Sequence, residues 1–347
     1  SSGINLMIDD LNLISERKVY MDNNGALMID RDIVRDAFGC SVKLYDNSIL
    51  RIAKGRIVVR AEVGSNTVTV SKLYSEDESE EEIALSASCI FRGQELYIPA
   101  EILVNAIGYD YTWENSTSTA IFLSDDPDIE NLTSYFSYAD IGDIWYVRNQ
   151  GDLGSCWAFA AMAAMEYSLK PEEDWDFSED HMIHNSPYSM LDFGGDYLMA
   201  TAYLTSWSGP VREEDDPYND GMTDSTLAAV KHVQEVRFLK DGDLTEIKKM
   251  IFRYGVIESS LYIGMNEDST YLDPESYDPQ TCSYIYTGSE APNHEIVIIG
   301  WDDDYPQEYF MGKADRDGAF ICKNSWGSAF GDNGVFYVSY CDVRIGQ

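Results

Sequence analysis

The sequence predicts an α+β protein built from two consecutive domains. Its 347 residues exceed one ordinary domain of about 150 residues, so two are expected. The first third contains an internal repeat of strand, short helix and strand. The remainder has a helix-forming run after Cys156 and then apolar runs typical of buried strands, at residues 295–301 and 320–322. We place the domains at residues 1–126 and 127–347.

The repeat defines the first domain. Residues 27–30, an amphipathic stretch to Phe38 and a strand after Gly39 recur as residues 96–99, a stretch to Ile107 and a strand after Gly108. This pattern resembles the copper amine oxidase N-terminal-like domain, a small α+β module. Because residues 1–126 contain no His, we predict no copper site there. The domain is either a wall-binding module or a spacer, and the sequence leaves both open.

Cys156 follows Gly154 and Ser155 and precedes a run rich in Ala and Met without Gly or Pro. The run predicts a helix that begins at the thiol. The N-terminus of a helix favours an anion, so we expect this position to promote the thiolate, which is the nucleophilic form of cysteine. The alternative is a buried structural Cys. The flanking residues favour the nucleophile.

Two further segments supply the partners that such a thiol needs. His294 begins an apolar run that predicts a buried strand, and Asn324 lies between Lys323 and Ser325. The separation of Cys156 and His294 falls within the window of about 130–150 residues that papain and cathepsins show. Together the three segments resemble those of the papain-like cysteine peptidases, so we expect their two-lobed fold, with a helical lobe and a β-rich lobe, over residues 127–347.

The resemblance implies a role for each matching residue. Cys156 would attack the scissile carbonyl, and His294 would hold it as a thiolate–imidazolium pair and then protonate the leaving amine. Asn324 would orient the imidazole. Gln150 would join the Cys156 N–H in an oxyanion hole, and Trp326 would shield the bond between Asn324 and His294 from water.

Some positions bear on the substrate site or depart from the family pattern. Leu153 stands where the family usually has a Cys, so the usual disulfide cannot form there. Glu295 stands where the family has a small apolar residue lining the S2 pocket. A carboxylate there predicts a cationic P2 side chain, unless Glu295 points away and is neutralised by a neighbouring cation. Gly194 and Gly195 resemble the segment that pairs with the P2 backbone, with a plain tight turn as the alternative, and we count Asn293 among the substrate-binding residues.

The net charge limits the classes of partner that we expect. The formal net charge is −37, from 61 acidic and 24 basic residues. Such a field repels nucleic acid and attracts cationic peptides. We therefore predict protein or peptide substrates, preferentially cationic, with no nucleic acid and no metal or other cofactor. Surface or cell-wall association through the first domain fits a secreted or cell-surface bacterial protein whose leader is absent from this sequence.

Six cysteines are few for a disulfide scaffold. If Cys156 is reactive, five remain, and at least one of these must be free or pair between chains. The family resemblance suggests a Cys282–Cys341 bridge as one possibility. The expected function is a cysteine endopeptidase. The alternatives are a papain-fold exopeptidase, with residues 262–292 long enough to occlude the cleft, an amidase or transamidase, or a surface adhesion protein.

Overall fold

The chain forms two compact units, Ser1–Asn131 and Leu132–Gln347. The computed structural model describes residues 3–9, 11–15, 18–54, 57–72, 80–124, 132–140, 147–170, 173–186, 194–233, 236–239, 243–265 and 272–346. The predicted domain boundary between residues 126 and 127 lies outside the described residues. Both units combine helices and strands, which confirms the α+β class.

The first unit consists mainly of antiparallel strands with two short helices. Its elements are β1 (Ile4–Ile8), β2 (Leu11–Ser15), β3 (Val19–Met21), β4 (Leu27–Asp30), α1 (Arg31–Asp36), β5 (Ser41–Tyr45), β6 (Ile49–Lys54), β7 (Ile57–Glu62), β8 (Thr67–Lys72), β9 (Glu81–Ala84), β10 (Ile90–Arg92), β11 (Glu95–Pro99), α2 (Ala100–Asn105), β12 (Tyr109–Glu114) and β13 (Thr119–Ser124). They form three sheets, ordered β12-β13-β1-β2, β10-β11-β4-β3 and β5-β6-β7-β8-β9.

The predicted repeat is confirmed. Its two copies are β4–α1–β5 and β11–α2–β12, followed by β6 and β13 respectively. The copies also pair with each other, because β4 and β11 are antiparallel neighbours with Ile29 opposite Ile98. Gly39 and Gly108 follow the two helices with φ of +66° and +94°, a left-handed conformation that glycine adopts without strain. Most buried apolar side chains of both copies join one core, whereas Met28 and Tyr97 pack in a second, smaller cluster.

The second unit has helices in its first half and a sheet in its second. Its elements are β14 (Tyr135–Ser137), α3 (Cys156–Leu169), α4 (Glu179–Asn185), α5 (Tyr197–Thr205), α6 (Leu244–Tyr254), β15 (Ile257–Leu261), β16 (Tyr277–Asp278), β17 (Ser283–Tyr284), β18 (His294–Asp302), a 3₁₀ helix (Gln307–Phe310), β19 (Ala319–Lys323) and β20 (Val335–Ser339). The sheet order is β14-β18-β19-β20-β17-β16, with β15 also paired to β18. The predicted apolar runs at residues 295–301 and 320–322 correspond to β18 and β19.

Helix α3 joins the two halves of this unit. Its apolar residues face two cores: Trp157, Ala158 and Met162 pack with α4 and α5, whereas Ala160 and Tyr167 pack against the sheet, on Val256, Val297, Ile299 and Ile321. A helix buried on both sides needs apolar residues around most of its circumference. The Ala- and Met-rich sequence after Cys156 meets that requirement.

All six cysteines are free thiols, so the Cys282–Cys341 bridge considered from the sequence is not formed. Cys341 is engaged otherwise, since its Sγ lies 3.1 Å from the Asp315 carboxylate. No helix within the described residues is both long enough and apolar enough to cross a membrane.

Candidate active site

Cys156 is the first residue of α3, as predicted, and only 8% of it is exposed. Ser155 precedes the helix, but its hydroxyl does not cap it and instead donates to Tyr218 Oη at 2.7 Å. The first N–H groups of α3 therefore surround the thiol without a competing side-chain acceptor from Ser155. The backbone N–H of Glu295 acts to lower the pKa of the thiol, which indicates that the start of β18 lies near the start of α3.

His294 is the first residue of β18 and is buried. Its Nε2 donates to Asn324 Oδ1 at 2.8 Å. Asn324 directly follows β19, and β18 and β19 are antiparallel neighbours in the sheet. The pairing of these strands therefore places the two side chains together. Because Nε2 donates to Asn324, the other ring nitrogen, Nδ1, is an acceptor in the neutral imidazole.

Within the described part of the chain, hydrogen bonds hold the oxygen of the Asn324 amide but not its nitrogen. Its Oδ1 also accepts from the Ser325 N–H at 2.8 Å, whereas its buried Nδ2 has no hydrogen-bond partner among the described residues. The Trp326 ring lies over the His294 ring with centroids 4.8 Å apart, and Phe330 packs edge-on against Trp326. Trp326 thus covers the imidazole with an apolar surface.

Gln150 is buried beside Ser325. Its N–H donates to Ser325 O at 2.8 Å, and Ser325 Oγ donates to its Oε1 at 2.7 Å. Its Nε2 donates to Leu153 O at 2.8 Å, and Tyr218 Oη donates to its backbone oxygen at 2.7 Å. These contacts hold the amide rigidly near the segment that leads to Cys156. The roles of Ser325 and Tyr218 could not be predicted from the sequence, because nothing local to either residue indicates the contact.

The charge state of the thiol differs from the expectation. Burial raises the pKa of Cys156 to about 11, although hydrogen bonds from the backbone of Glu295 and Trp157 act in the lowering direction. The charges of Glu295 and Glu258 raise it further. Burial also lowers the pKa of His294 to about 4, partly offset by the bond to Asn324. The helix terminus is thus too weak to ionise the thiol by itself, because removal from water disfavours a lone charge more strongly.

Thiolate and imidazolium are therefore each disfavoured when alone. A charged pair formed by moving one proton from sulfur to imidazole avoids a lone buried charge, since each ion then neutralises the other. The site favours this coupled transfer over independent ionisation of either group.

The predicted glycines lie beside the nucleophile segment. Gly194 has φ of +77°, and its backbone is so close to Gly154 that a side chain at residue 154 would come within 3.0 Å of it. A side chain at Gly195 would come within 2.6 Å of the Trp157 ring. Both glycines thus allow this backbone to pack against the residues that flank Cys156.

The Asn293 side chain hydrogen-bonds to the backbone of a neighbouring segment. Its Oδ1 accepts from the Ile263 N–H at 2.7 Å, and its Nδ2 donates to Ile263 O at 3.0 Å. The side-chain amide that we predicted to bind substrate is thus engaged with the chain just after β15.

Glu295 forms no ion pair with a Lys or Arg of the described residues, although Arg148 and Lys323 line the same cavity as it does. It is buried, its Oε1 accepts from Ser260 Oγ at 2.7 Å, and its Oε2 has no partner among the described residues. Burial raises the pKa of Glu295 to about 7, and the charge of Asp196 adds to this. Glu258 and Asp196 are further acids at this site that the sequence analysis did not single out. A carboxylate inside the apolar run of β15 is the signal that could have indicated Glu258.

A cavity of about 320 Å³ lies beside the site, between α3 and strands β18 and β19. Arg148 lines it and pairs with Glu179, Asp176 and Glu166, the last at 2.7 Å. Burial opposes the charge of Arg148, but the three carboxylates outweigh it and raise its pKa. Lys323 lines the same cavity, and burial lowers its pKa to about 8. We interpret this cluster as structural, since its carboxylates are already engaged by Arg148.

Comparison with known proteins supplies an independent observation. The sequence model of the papain family cysteine proteases matches residues 134–344, which is more than half of the chain. A second model, described as the copper amine oxidase N-terminal domain, matches residues 7–122. Both resemblances noted in the sequence are thereby confirmed.

Curated relatives include the probable cysteine protease RD19B of Arabidopsis thaliana, 26% identical over 224 residues that make up 60% of this chain and 58% of that protein. Cathepsin K of Mus musculus is 25% identical over 209 residues, 57% of this chain and 56% of that protein. The chain thus spans little more than half the length of these relatives.

Among solved structures, two are of the clostridial cysteine protease Cwp84. The first, of its cysteine protease and lectin-like domains from Clostridium difficile, is 29% identical with a TM-score of 0.53, covering 62% of this chain and 49% of that one. It is described as a surface layer associated protein. The second, of a variant after propeptide cleavage, is 30% identical with a TM-score of 0.55, covering 62% of this chain and 56% of that one.

Proposed function

The chain belongs to the papain family of cysteine proteases, and on that premise we propose that it is a cysteine endopeptidase acting through Cys156, His294 and Asn324. The observation that supports the proposal is the 2.8 Å hydrogen bond from His294 to Asn324, at the start of a strand whose next residue, Glu295, is near enough to the Cys156 thiol for its backbone N–H to lower the thiol pKa. A nucleophile, a base and a group that orients the base are the parts that acyl transfer requires.

The chemistry follows from these positions. As the Cys156 sulfur forms a bond to the scissile carbonyl carbon, its proton passes to His294, so the two charges arise together. The carbonyl oxygen becomes an oxyanion that the Cys156 N–H and the Gln150 amide can stabilise. His294 then protonates the leaving amine as the C–N bond breaks, which leaves a thioester. Water, deprotonated by His294, attacks this thioester, and the carboxylic acid product and the free thiol are released.

The supporting residues limit how the imidazole can move. Asn324 accepts from Nε2 and so holds the tautomer whose Nδ1 can take the thiol proton. The Trp326 ring lies on the imidazole and helps to exclude water from this hydrogen bond. The contacts from Ser325 and Leu153 keep the Gln150 amide fixed before the substrate arrives, so little reorganisation is needed as charge develops.

The decisive test combines a fluorogenic dipeptidyl amide with a thiol-reactive epoxide. The wild-type chain should hydrolyse the amide and carry one epoxide group on Cys156, located by peptide mass spectrometry. Cys156→Ser should lose both properties, whereas the control Cys282→Ser should retain both. Neither turnover nor labelling in the wild-type chain would overturn the proposal and favour the alternative of a surface-binding protein.

The segment at residues 262–292, which an exopeptidase could use to occlude the cleft, supports endopeptidase action instead. In its described part, residues 277–278 and 283–284 form β16 and β17, and β17 pairs with β20 in the sheet. That part of the chain extends the β lobe. End-group analysis of digested peptides tests the mode: internal cuts support the proposal, whereas stepwise release from one terminus points to the exopeptidase alternative.

We also propose a preference for a cationic P2 side chain, based on Glu295. Its buried carboxylate has one oxygen on Ser260 and the other without a partner among the described residues. A hydrogen bond to a charged group contributes about 1.5–3 kcal/mol. Glu295→Gln should therefore lower kcat/KM for a P2 Arg substrate by roughly 10-fold or more and leave a P2 Leu substrate little changed.

This prediction is measured as the ratio of kcat/KM for the two substrates at about pH 7.5, above the pKa of about 7 that burial gives Glu295. The matched control is Glu290→Gln, an exposed glutamate, which should keep the wild-type ratio. Equal cleavage of Arg and Leu substrates by the wild-type chain would contradict the preference without affecting the peptidase assignment.

The proposed location and partners rest on charge and on the comparisons. The net charge of −37 favours encounter with cationic peptides. A relative described as surface layer associated and a match to the copper amine oxidase N-terminal domain support action at or outside the cell surface. Cell fractionation of the producing organism tests this, and recovery only from the cytosol would contradict it.

A further inference from the structure

Glu258 lies on the strand beside Glu295. Strands β15 and β18 are antiparallel, with Ser260 opposite Glu295 and Glu258 opposite Val297. Because side chains alternate along a strand, all four point to one face of the sheet. That face is covered by α3, since Val297 packs with Ala160 of that helix. Glu258 and Glu295 thus lie between the sheet and the helix that carries Cys156.

Both carboxylates have an unsatisfied oxygen. Glu258 is partly exposed as a residue, but its Oε1 is buried and has no hydrogen-bond partner among the described residues. Glu295 is more than nine-tenths buried, and its Oε2 is likewise without a described partner. Buried polar atoms are nearly always paired in folded proteins, so two orphaned oxygens on neighbouring strands indicate a ligand that supplies donors.

The groups that face this pair do not neutralise it. They include the Cys156 thiol and the His294 imidazole, whose charged forms burial disfavours, and the carboxylate of Asp196, whose charge acts on both glutamates. Lys323 of β19 lies opposite Val297 on the same face, and the charges that act on it include those of Glu166 and Glu179. Asp196 caps α5 through Oδ1, which accepts from the Leu198 and Met199 N–H groups. No Lys or Arg in the described part of the chain forms an ion pair with Glu258 or Glu295. A cationic substrate side chain can supply the positive charge that these described residues do not.

Building on the proposed peptidase function, we infer that Glu258 is a second specificity-determining residue, which together with Glu295 forms a two-carboxylate subsite for the guanidinium of a P2 arginine. A guanidinium offers five N–H donors in a planar fork and can reach two separate carboxylates at once. An ammonium is a compact point charge that satisfies the same two acceptors less completely. The two carboxylates together therefore favour arginine over lysine at P2. Glu295 alone would favour a cationic P2 side chain without distinguishing the two.

The subsite also makes selectivity depend on pH. Burial, followed by the charge of Glu295, raises the pKa of Glu258 well above its ordinary value, and burial raises that of Glu295 to about 7. In acid both groups are protonated and accept a neutral P2 side chain. As pH rises through neutrality Glu295 ionises, and a bound guanidinium favours the ionised form of both carboxylates, so the preference for Arg over Leu increases. Titration of Cys156 and His294 affects both substrates alike and cancels in the ratio.

The test uses three fluorogenic dipeptidyl amides that differ only at P2, with Arg, Lys or Leu. They are assayed between about pH 5 and 8, a range above the ordinary pKa of a glutamate and on both sides of the raised pKa of about 7 of Glu295. For the wild-type chain, the Arg/Leu ratio of kcat/KM should rise about 10-fold or more across this range, and Arg should exceed Lys. Glu258→Gln, which preserves shape, should lower the Arg/Leu ratio at the alkaline end about 10-fold or more and bring Arg and Lys close together. Glu308→Gln, an exposed glutamate, should match the wild type.

The outcomes separate this inference from the proposed function. Turnover with an unchanged Arg/Leu ratio in Glu258→Gln, while Glu295→Gln lowers it, overturns the role of Glu258 and leaves the peptidase and its Glu295 preference standing. A flat pH profile of the wild-type ratio also overturns the inference, and this measurement needs no variant that must fold. Absence of any turnover and of epoxide labelling in the wild-type chain contradicts the proposed function itself.

Discussion

Replacing His294 by alanine is expected to lower kcat/KM by about 10⁴-fold. Burial raises the pKa of the Cys156 thiol to about 11, so without an acceptor for its proton only about one molecule in 10⁴ carries a thiolate at neutral pH. The loss of proton transfer to the leaving amine acts in the same direction. The two effects overlap because they belong to one catalytic unit, so their contributions do not multiply.

The pH dependence of alkylation measures this directly. Iodoacetamide should modify Cys156 of the wild-type chain near neutral pH, where transfer of the proton to His294 is available. In His294→Ala the rate should be low at neutral pH and climb as pH rises toward about 10, because only direct ionisation remains. His232→Ala, which removes an exposed histidine stacked on Trp207, is the control and should behave as wild type. Rapid alkylation of His294→Ala at neutral pH would show that another group ionises the thiol.

Replacing Arg148 by methionine is expected to destabilise the second unit by about 3–5 kcal/mol, the typical cost of removing one partner of a buried ion pair. Arg148 contacts Glu166, Asp176 and Glu179 and also donates to Phe177 O at 2.9 Å. Its removal leaves Glu179, whose side chain is 1% exposed, without its cation. For a unit of this size the loss corresponds to a fall in Tm of about 10 °C.

The loss should be larger in mildly alkaline than in mildly acidic buffer. Burial raises the pKa of Glu179 from 4.5 to about 8, while Arg148 lowers it. Where the folded pKa is raised, the native state binds more protons than the unfolded state, so stability falls as pH rises from about 4.5 to 8. Without Arg148 that fall steepens. Urea unfolding followed by Trp fluorescence measures it, because every Trp except Trp113 lies in this unit.

The control is Arg212→Met. Arg212 is 46% exposed and lies 3.7 Å from the exposed Glu214, so its loss should cost less than about 1 kcal/mol. Equal unfolding midpoints for Arg148→Met and the wild type would mean that the carboxylate cluster is satisfied without Arg148.

The sequence predicts those parts of the molecule whose signals are local. Cys156 is followed by a helix because the next residues are strong helix formers, and His294 begins a strand because the run after it is apolar and β-branched. The repeat in the first unit is also local, since each copy carries its own strand, helix and Gly. Gln150, Asn324 and Trp326 are predicted to belong to one site because their segments resemble those of one family.

Other features depend on strand register and could not be predicted. Glu258 becomes part of the candidate site only because β15 pairs with β18 so that Ser260 lies opposite Glu295. The same limit applies to Asn293, where the sequence does not show that the side chain binds the backbone of Ile263. The raised pKa of Cys156 could not be predicted for a related reason, since burial is a tertiary property.

The pairing of β14 with β18 has a consequence for where the chain can be cut. Tyr135, Phe136 and Ser137 lie opposite Asp302, Trp301 and Gly300, on the edge of the strand that begins with His294. Gly300 permits this approach, because a side chain there would overlap Phe136 O. Proteolytic release of the catalytic unit must therefore occur upstream of Tyr135. A cut downstream of Ser137 would free β14 to leave and expose the backbone of residues 300–302 as an open sheet edge, a surface that promotes aggregation.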